Sequence, residues 1–369
     1  MIVNSYSIPL FFIIEFDVSS FSKKLLQWFD QYGRHDLPWQ QQTTPYRVWV
    51  SEIMLQQTQV RTVIPYYERF MNSFPTIEAL ASASQEAVLS HWAGLGYYAR
   101  GRNLHKSAQY ITEHYQGVFP AKFEDVVALS GIGRSTAGAI LSIALNQRMP
   151  ILDGNVKRVL SRYFALEGWA GERKNEQVLW QKADDLTPKK RFKDYTQAIM
   201  DLGATVCTRS KPRCQVCPVN QTCLARQTDQ VQSLPTPKPK KIKPIKQTYC
   251  LIFQNTQGQV FLQQRPQKGI WGGLWSFPEF DSRQACLEQI KMGESQANIT
   301  QSLVEWDSFR HTFSHYHLEI FPMVVKSVQN QPIQWEGQWV CRQSICMDKA
   351  TLGLPAPMTK LIKMMESQN

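Results

Sequence analysis

The stretch Cys207-Thr-Arg-Ser-Lys-Pro-Arg-Cys-Gln-Val-Cys-Pro-Val-Asn-Gln-Thr-Cys223 holds four of the eight cysteines of this 369-residue chain. Their spacing is Cys-x6-Cys-x2-Cys-x5-Cys, and a group this dense indicates a metal site. Zinc sites generally combine two close pairs separated by a longer spacer, whereas here only the middle pair is close. Ligation of an iron–sulfur cluster by four thiolates suits the irregular spacing better. Zinc and a fortuitous grouping stay open at this point.

The lengths of the apolar runs indicate the cellular compartment, and the compartment in turn predicts the state of the cysteines. No run approaches the roughly 18 residues that a membrane span requires. The apolar run from Ile8 to Phe16 contains Glu15 and has no Lys or Arg before it, so it is a poor signal peptide. We therefore expect a cytoplasmic protein with reduced or metal-bound thiols. We expect burial for the other four cysteines, which are scattered through the C-terminal third: Cys250, Cys286, Cys341 and Cys346.

A second short motif, Leu129-Ser-Gly-Ile-Gly-Arg-Ser-Thr-Ala137, lies between two helical segments. Gly131 and Gly133 allow a tight turn and bring backbone N–H groups close to an anion. Ser135 and Thr136 open the next helix, whose N-terminal dipole attracts the same anion. A plain turn between two helices is the alternative interpretation. The overall charge favours a polyanionic partner, because 41 Lys and Arg against 30 Asp and Glu give a formal charge of +11.

Together, the cysteine spacing and the hairpin resemble the endonuclease III family of DNA glycosylases. The family usually has Pro where this chain has Ser130, but both hairpin glycines are present. The resemblance implies a helix-hairpin-helix that binds DNA through Gly131 and Gly133. It also implies a basic loop, with Arg209 and Lys211, that contacts phosphates. The implied cofactor is a structural [4Fe–4S] cluster held by four ligands: Cys207, Cys214, Cys217 and Cys223.

The apolar periodicity predicts an all-α domain over residues 19–224. In the first segment Phe21, Leu25, Trp28 and Phe29 form one stripe, with Ser20 placed as a cap and Gly33 as a stop. Gly, Pro and Asp residues separate further predicted helices over 46–58, 60–73, 97–115, 135–146 and 155–166.

Glu52 is the first candidate catalytic residue. It is the only acid in a long, mostly apolar stretch, Val48-Trp-Val-Ser-Glu-Ile-Met-Leu-Gln-Gln-Thr-Gln-Val60. Apolar neighbours raise the pKa of a carboxyl group and favour its protonated form. A solvated position on an amphipathic helix is the alternative. The stretch closely resembles the adenine-specific, MutY-type branch of the family, in which the matching Glu protonates adenine. Protonation converts a purine into a better leaving group.

Asp153 and Ser135 complete the predicted chemistry. Asp153 precedes a helix in Ile151-Leu-Asp-Gly-Asn-Val-Lys-Arg-Val159, where an N-cap is the ordinary role of an Asp. By resemblance, the matching aspartate stabilises positive charge on deoxyribose, which an oxocarbenium-like sugar requires. Family members that also cut the backbone carry a lysine at the position of Ser135 to form a Schiff base. A serine offers no amine, so we expect a monofunctional glycosylase.

Further residues are assigned by resemblance alone. Gln57 and Tyr97 would enter the duplex as wedges. Trp39, Asn155 and Gln197, together with Ser135, would line the pocket for the flipped adenine. A core position is the alternative for the two aromatic residues.

The chain changes character at Gln227. The run Leu-Pro-Thr-Pro-Lys-Pro-Lys-Lys-Ile-Lys-Pro-Ile-Lys, 234–246, is typical of an extended, solvated linker. Strand-like alternation follows at 248–253 and 259–264 around an Asn-Thr-Gln-Gly turn, and again within 310–325. This predicts a separate α+β domain that resembles a Nudix domain. The predicted boundaries are a tail at 1–18, a helical domain at 19–224 with hairpin 125–146 and cluster loop 207–223, a linker at 225–247 and the Nudix-like domain at 248–369.

The Nudix-like domain is expected to read DNA and not to hydrolyse nucleotides. The predicted helix after Pro278 lacks the Glu-rich pattern that holds magnesium in working Nudix enzymes. By resemblance, Phe313, Ser314 and His315 form the loop that reads 8-oxoguanine opposite the adenine. A metal site at neighbouring histidines is the alternative.

The resemblance therefore implies a monomeric base excision repair enzyme that hydrolyses adenine from A·8-oxoguanine or A·G pairs in double-stranded DNA. Three rivals stay open: an endonuclease III-like pyrimidine glycosylase with lyase activity, a non-catalytic mismatch-binding protein and a Nudix nucleotide hydrolase.

Overall fold

A computed structural model describes residues 18–239, 242–297, 302–328, 336–342 and 352–366. Two compact units emerge: Met1–Thr43 with Gly133–Pro239, and Thr44–Ile132 with Lys240–Asn369. The predicted N-terminal tail lies outside the described residues apart from Val18, which already belongs to the first helix.

The N-terminal part of the chain is helical, as the sequence predicts. The helices are α1 (Val18–Tyr32), α2 (Pro38–Gln41), α3 (Pro45–Leu55), α4 (Val60–Ser73), α5 (Ile77–Ser82), α6 (Gln85–His91), α7 (Ala99–Tyr115), α8 (Phe123–Ala128), α9 (Arg134–Leu145), α10 (Gly154–Tyr163), α11 (Arg173–Leu186), α12 (Phe192–Asp201) and α13 (Leu224–Gln227).

Local signals account for most of these helix ends. In α1, Phe21, Leu25 and Phe29 are buried as the stripe predicts, and the helix ends just before Gly33. Ser20 is not the cap, because the helix begins at Val18. In α3, Thr44 caps the first turn by accepting from the N–H of Arg47 at 3.2 Å.

The C-terminal domain is built on a mixed sheet. The strands are β1 (Ile245–Asn255), β2 (Val260–Gln264), β3 (Trp275–Ser276), β4 (Glu279–Phe280), β5 (Ser302–Glu305), β6 (Phe309–Thr312), β7 (His317–Val328) and β8 (Gln338–Val340). The order β3-β2-β1-β7-β5 has β1 and β7 parallel, with Ile245 opposite His317. The predicted β1–β2 hairpin is present, with Gln254 opposite Val260.

Alternation along β1 explains the two layers of helix on this sheet. Cys250 and Ile252 face one core, which includes Leu361 of α15 (Ala356–Glu366). Leu251 and Phe253 face the other core, to which α14 (Arg283–Ala297) contributes Cys286 and Ile290. Both faces of the sheet are therefore covered by helices.

The scattered cysteines do not all behave alike. Cys250 and Cys286 are buried, as expected, whereas Cys341 is exposed, so burial was the wrong expectation there. Cys346 lies outside the described residues.

The predicted linker is only partly a spacer. Leu234 is 5% exposed, and its carbonyl accepts a hydrogen bond from Arg162 Nε at 2.8 Å. Thr236 pairs with Trp169 through an isolated β-bridge. At the other end, β1 begins at Ile245, inside the stretch assigned to the linker. Composition failed here because Pro and Lys also suit a chain that lies extended on a protein surface.

Within the second unit, the C-terminal domain contacts helices α6 and α7. The indole N–H of Trp275 donates to Glu86 at 2.8 Å, and Arg102 donates to the carbonyl of Gly272 at 2.8 Å. The Tyr98 hydroxyl donates to the carbonyl of Leu354 at 3.2 Å. Among the described helices, none is long and apolar enough to cross a membrane.

Candidate active site and DNA-binding surfaces

Glu52 lies on α3, a helix that is almost entirely buried. Ser51, Ile53 and Met54 beside it are buried, while Glu52 itself is partly exposed. Glu52 is also the only acidic residue of the helix. This position gives a carboxyl group access to solvent from a mostly apolar helix, which suits a proton donor.

Asp153 is the N-cap of α10. Its Oδ1 accepts from the N–H of Val156 at 2.8 Å, and its Oδ2 accepts from Asn155 Nδ2 at 3.0 Å. Loss of hydration raises the pKa of Asp153, and these hydrogen bonds oppose the rise. The cap interpretation and the catalytic interpretation are compatible, since the cap fixes the carboxylate in one orientation.

Ser135 is held against the segment that leads to Asp153. In the first turn of α9, its Oγ accepts a hydrogen bond from the N–H of Leu152 at 2.9 Å. The hydroxyl therefore ties α9 to the residue before Asp153.

Arg158 connects Asn155 to the cysteine loop. Its guanidinium donates to Asn155 Oδ1 at 2.8 Å and to the carbonyl of Cys207 at 2.7 Å. A side chain at Gly203 would not fit here, because its Cβ would lie 2.6 Å from Asn155 Cβ. Asp153, Asn155 and the first cysteine thus belong to one hydrogen-bonded network.

Asp201 organises two more predicted pocket residues. It is 1% exposed and accepts from Gln197 Nε2 at 2.9 Å, from the backbone N–H of Arg34 at 2.8 Å and from Arg34 Nε at 3.0 Å. Arg34 lies in the connection from α1 to α2, the helix that contains Trp39, and Trp39 is only 5% exposed. The carboxylate therefore fixes Gln197 on α12 relative to this segment.

The four clustered cysteines line one pocket together with apolar side chains such as Val159, Leu202 and Val219. A π-helical turn, Leu202–Val206, leads into the loop, and two short 3₁₀ turns, Cys214–Val216 and Asn220–Thr222, shape it. Arg162 is 2% exposed and donates to Cys207 Sγ at 3.3 Å. The loop therefore presents four sulfur donors to a common space.

The electrostatics of this pocket disfavour thiolates that lack a cation. Burial, reinforced by the neighbouring sulfurs, raises the pKa of Cys217 to about 12 and also raises the pKa of Cys223. In the described ranges, no group of three or more His, Cys, Asp or Glu side chains has an arrangement that could hold a metal ion. The four sulfurs nevertheless fit an iron–sulfur cluster in donor type and number, and they share one pocket. The histidine alternative in the C-terminal domain gains no support.

The hairpin and the cysteine loop both offer exposed donors. Gly131 has φ +83° and is exposed, and Gly133 is the N-cap of α9. A Cβ on Gly131 would lie 2.9 Å from Asn103 Cβ, so both the positive φ and the lack of space require glycine at this turn. Arg209 and Lys211 are exposed in the cysteine loop.

The two predicted wedges lie in tight turns of the second unit. Gln57 has φ +59° and Tyr97 has φ +51°, both in the left-handed region that non-glycine residues rarely adopt. Gln57 is exposed and Tyr97 is 49% exposed. Exposure favours the wedge interpretation of Tyr97 over the core alternative.

The predicted 8-oxoguanine loop joins β6 to β7. The Phe313 N–H donates to the carbonyl of Tyr316 at 2.9 Å, which closes the turn and leaves Ser314 and His315 exposed. Phe313 is half-buried, and its ring lies 5.1 Å from that of Trp271. The loop thus presents two polar side chains above an aromatic cluster.

Several supporting residues escaped the sequence analysis: Arg34, Arg100, Arg158, Arg162 and Asp201. Each is a charged residue that is wholly or partly buried, which is uncommon unless it is paired. Arg100, Arg158 and Arg162 lie among buried positions of predicted helices, which was the available signal, whereas no local signal marks Arg34 or Asp201.

Comparison with known proteins gives consistent results over nearly the whole chain. Residues 50–184 match the HhH-GPD superfamily of base excision DNA repair proteins, and residues 248–364 match the NUDIX domain. An adenine DNA glycosylase of Buchnera aphidicola is 39% identical over 93% of this chain and 98% of its own length. The human adenine DNA glycosylase is 37% identical over 82% of this chain and 66% of its own length. A solved thermostable thymine-DNA glycosylase is 25% identical, with a TM-score of 0.52 over 57% of this chain and 97% of its own.

Proposed function

The chain belongs to the adenine DNA glycosylase family, and from that premise we propose that it removes adenine paired with 8-oxoguanine or guanine in double-stranded DNA. It is a base excision repair glycosylase, a hydrolase of N-glycosyl bonds, with a helix-hairpin-helix domain followed by a Nudix-like domain. The observation that supports the chemistry best is the desolvated carboxylate of Asp153, fixed by Val156 and Asn155 at the start of α10.

Glu52 is the proposed general acid. Adenine leaves the sugar readily only after protonation of a ring nitrogen, and a positioned carboxylic acid supplies about 10²–10⁴-fold of rate in such steps. Its place on buried α3 supports this role.

Asp153 is the proposed stabiliser of the sugar cation. As the glycosidic bond breaks, positive charge develops on the deoxyribose, and a carboxylate held in place beforehand stabilises it without reorganisation. Water then completes the hydrolysis. Because Ser135 supplies no amine, no Schiff base forms there and the enzyme is proposed to be monofunctional.

Recognition of the extrahelical adenine is assigned to Trp39, Asn155, Gln197 and Ser135. Gln197 offers an amide to a base edge and is oriented by Asp201. Tyr97 and Gln57 are proposed to enter the space that the flipped nucleotide vacates.

A [4Fe–4S] cluster bound by Cys207, Cys214, Cys217 and Cys223 is the proposed cofactor. When bound, a cluster with four protein ligands has a structural role and orders the loop that carries Arg209 and Lys211. Those side chains, with the N–H groups of Gly131 and Gly133, are proposed to contact phosphates. Phe313, Ser314 and His315 are proposed to read 8-oxoguanine. The enzyme is also proposed to act as a monomer in the cytoplasm.

A panel of duplexes tests the function directly. Each of the four bases is placed in turn opposite 8-oxoguanine or guanine, and free base is measured under single-turnover conditions. Release of adenine alone, faster opposite 8-oxoguanine, is the expected result. Release of a pyrimidine with strand cleavage would favour the endonuclease III-like alternative, and binding without release would favour a mismatch-binding protein.

A further inference from the structure

Arg100 is a buried cation that the proposed chemistry leaves without a role. It lies in the first turn of α7 and is 8% exposed. The dipole of a helix opposes a cation at this end, and burial of a guanidinium is costly unless its hydrogen bonds are supplied. Burial lowers the pKa of Arg100 to about 10, so the group is still charged near neutral pH.

One set of partners lies at the end of the helix that carries Glu52. Arg100 Nη1 donates to the carbonyl oxygens of Ile53 at 2.9 Å, Met54 at 2.8 Å and Gln56 at 2.6 Å. Nη2 donates to Thr58 Oγ1 at 3.2 Å. The last carbonyls of a helix have no partner within it, so Arg100 caps α3 and encloses the turn around Gln57.

A second set of partners lies in the turn before Tyr97. Arg100 Nη2 donates to the carbonyl oxygens of Gly96 at 3.0 Å and Leu95 at 3.4 Å. The guanidinium carbon also lies 5.4 Å from the centre of the Tyr97 ring, within the range of a cation–π contact. The same side chain therefore contacts the turns of both proposed wedges.

We propose that Arg100 is a positioning residue that holds the Gln57 and Tyr97 turns in a fixed mutual arrangement, ready to enter the duplex. This inference rests on the proposed function, in which those two side chains act as wedges. Both turns contain a non-glycine residue with positive φ, a conformation that needs support from its surroundings. A planar group with donors on two nitrogens can join two sets of carbonyls at once, whereas the compact ammonium of lysine cannot.

The physical benefit is preorganisation. A wedge that is ordered before binding does not lose conformational freedom when it inserts, so more of the binding free energy is available to unstack the base pair. If the turns were loose, the wedges would lose conformational freedom on insertion, so base flipping would become less favourable. The chemical step would be unchanged.

The test uses full-length protein and a duplex with 2-aminopurine beside the target adenine, because the fluorescence of this base rises when it unstacks. The variants are Arg100→Lys and the double wedge variant Gln57→Ala with Tyr97→Ala. Arg148→Lys is the matched control, since Arg148 also donates to backbone carbonyls, those of Asp184 and Thr187, which belong to the other compact unit. Excision is measured from the same duplex and from one in which the adenine faces an abasic site.

We expect Arg100→Lys to lower the fluorescence rise and to slow excision of paired adenine about ten- to a hundredfold, the effect of losing one or two charged hydrogen bonds. Excision opposite the abasic site should change by no more than about threefold, because that adenine has already lost its pairing partner. Arg148→Lys should match the wild type on both duplexes. An equal loss on both duplexes, or an unchanged fluorescence rise, would overturn the inference.

Two further measurements keep the outcomes separate. Thr58→Val removes one Arg100 contact at the Gln57 turn, so it covers the case in which Arg100→Lys fails to fold. It should weaken the fluorescence rise while the protein still folds and melts in one transition, and an unchanged rise would count against the inference. If the double wedge variant unstacks DNA as well as the wild type, the wedge assignment itself is wrong. If only the wedge variant loses unstacking, the wedges stand and the role of Arg100 is refuted.

Discussion

At the scale of single residues, the two proposed catalytic carboxyl groups are held in different ways. Glu52 is fixed by its helix, whose other residues are largely buried. Asp153 is fixed by its own hydrogen bonds to the helix that it caps. The first arrangement sets the position of the proposed proton donor, and the second fixes the desolvated carboxylate that is proposed to stabilise the sugar cation.

Replacement of Glu52 by Gln should lower the rate of adenine release by about 10²-fold or more, while duplex binding persists. The amide nearly preserves the shape but cannot donate the proton. Single-turnover excision and a binding titration on the same duplex measure the two effects. Glu68→Gln, at an exposed carboxylate of α4, is the control and should keep wild-type turnover. Substantial turnover by Glu52→Gln would refute the general-acid assignment.

The raised pKa of Asp153 predicts a stability that depends on pH. The folded state disfavours ionisation of this carboxyl group, so the carboxylate destabilises the protein above its pKa and ceases to do so as the pH falls through it. Asp153→Asn keeps the cap and should therefore melt at a higher temperature than the wild type near neutral pH. The difference should shrink on acidification. Melting curves for both proteins across the acid range check this.

A companion variant separates the charge from the cap. Asp153→Ala also lacks the charge but loses the cap, so it should be about 1 kcal/mol less stable than Asp153→Asn at every pH. A stabilisation by Asn that grows toward acid pH would contradict the assignment.

The serine at position 135 predicts that no Schiff-base adduct forms between the enzyme and DNA at this position. No amine occupies this position, and the hydroxyl accepts a hydrogen bond from the N–H of Leu152. Borohydride should therefore trap little or no adduct during turnover. Gel analysis of the reaction, beside a glycosylase with lyase activity as the positive control, gives the answer. Near-stoichiometric trapping would favour the bifunctional rival or an attacking lysine elsewhere.

At the scale of elements, the short turns between Cys207 and Cys223 have little internal regular structure. The two 3₁₀ turns are three residues each, Arg162 donates to the carbonyl of Thr208 near the start of the loop, and the four sulfurs share one pocket. A segment of this kind gains order from a bound cluster, because ligand binding is then coupled to folding.

Purified protein should accordingly be brown and contain about four irons per chain, as a cubane with four thiolate ligands requires. Cys217→Ala should lose iron and the associated visible absorption. Cys341→Ala, at an exposed cysteine outside the loop, should retain both. Zinc without iron in protein prepared anaerobically would restore the alternative that the spacing alone leaves open.

At the scale of the whole molecule, the C-terminal domain is joined to α6 and α7 by hydrogen bonds from Trp275, Arg102 and Tyr98. Tyr98 is the neighbour of the proposed wedge Tyr97. The domain is therefore packed against the helical part of its unit.

Removal of this domain should leave adenine release largely intact but erase most of the preference for 8-oxoguanine over guanine. Both carboxyl groups, the hairpin and the four clustered cysteines precede the cut, which belongs after Pro239 because Leu234 and Thr236 pack in the first unit. Single-turnover rates on A·8-oxoguanine and A·G duplexes give the discrimination.

Point variants in the full chain provide the control for lost packing. Ser314→Ala and His315→Ala alter exposed side chains and should each reduce discrimination modestly, since one base contact contributes about 1–3 kcal/mol. Undiminished discrimination in the truncated protein would place recognition in the helical part instead.

Local signals in the sequence determined much of this protein. The apolar stripe of α1, the cap at Thr44, the glycine turn at Gly131 and the alternation along β1 depend on near neighbours, so they could be predicted before any fold was known. The four clustered cysteines were evident for the same reason.

Only the tertiary structure decided which distant groups meet. Asp201 binds Arg34, which lies 167 residues earlier in the chain, and Arg100 reaches carbonyls from two separate turns. Leu234 is buried although it begins a stretch rich in Pro and Lys. The physical reason is that a buried charge or a packed linker is stabilised by backbone groups of other segments. Every residue carries those groups, so no residue type marks them in the sequence.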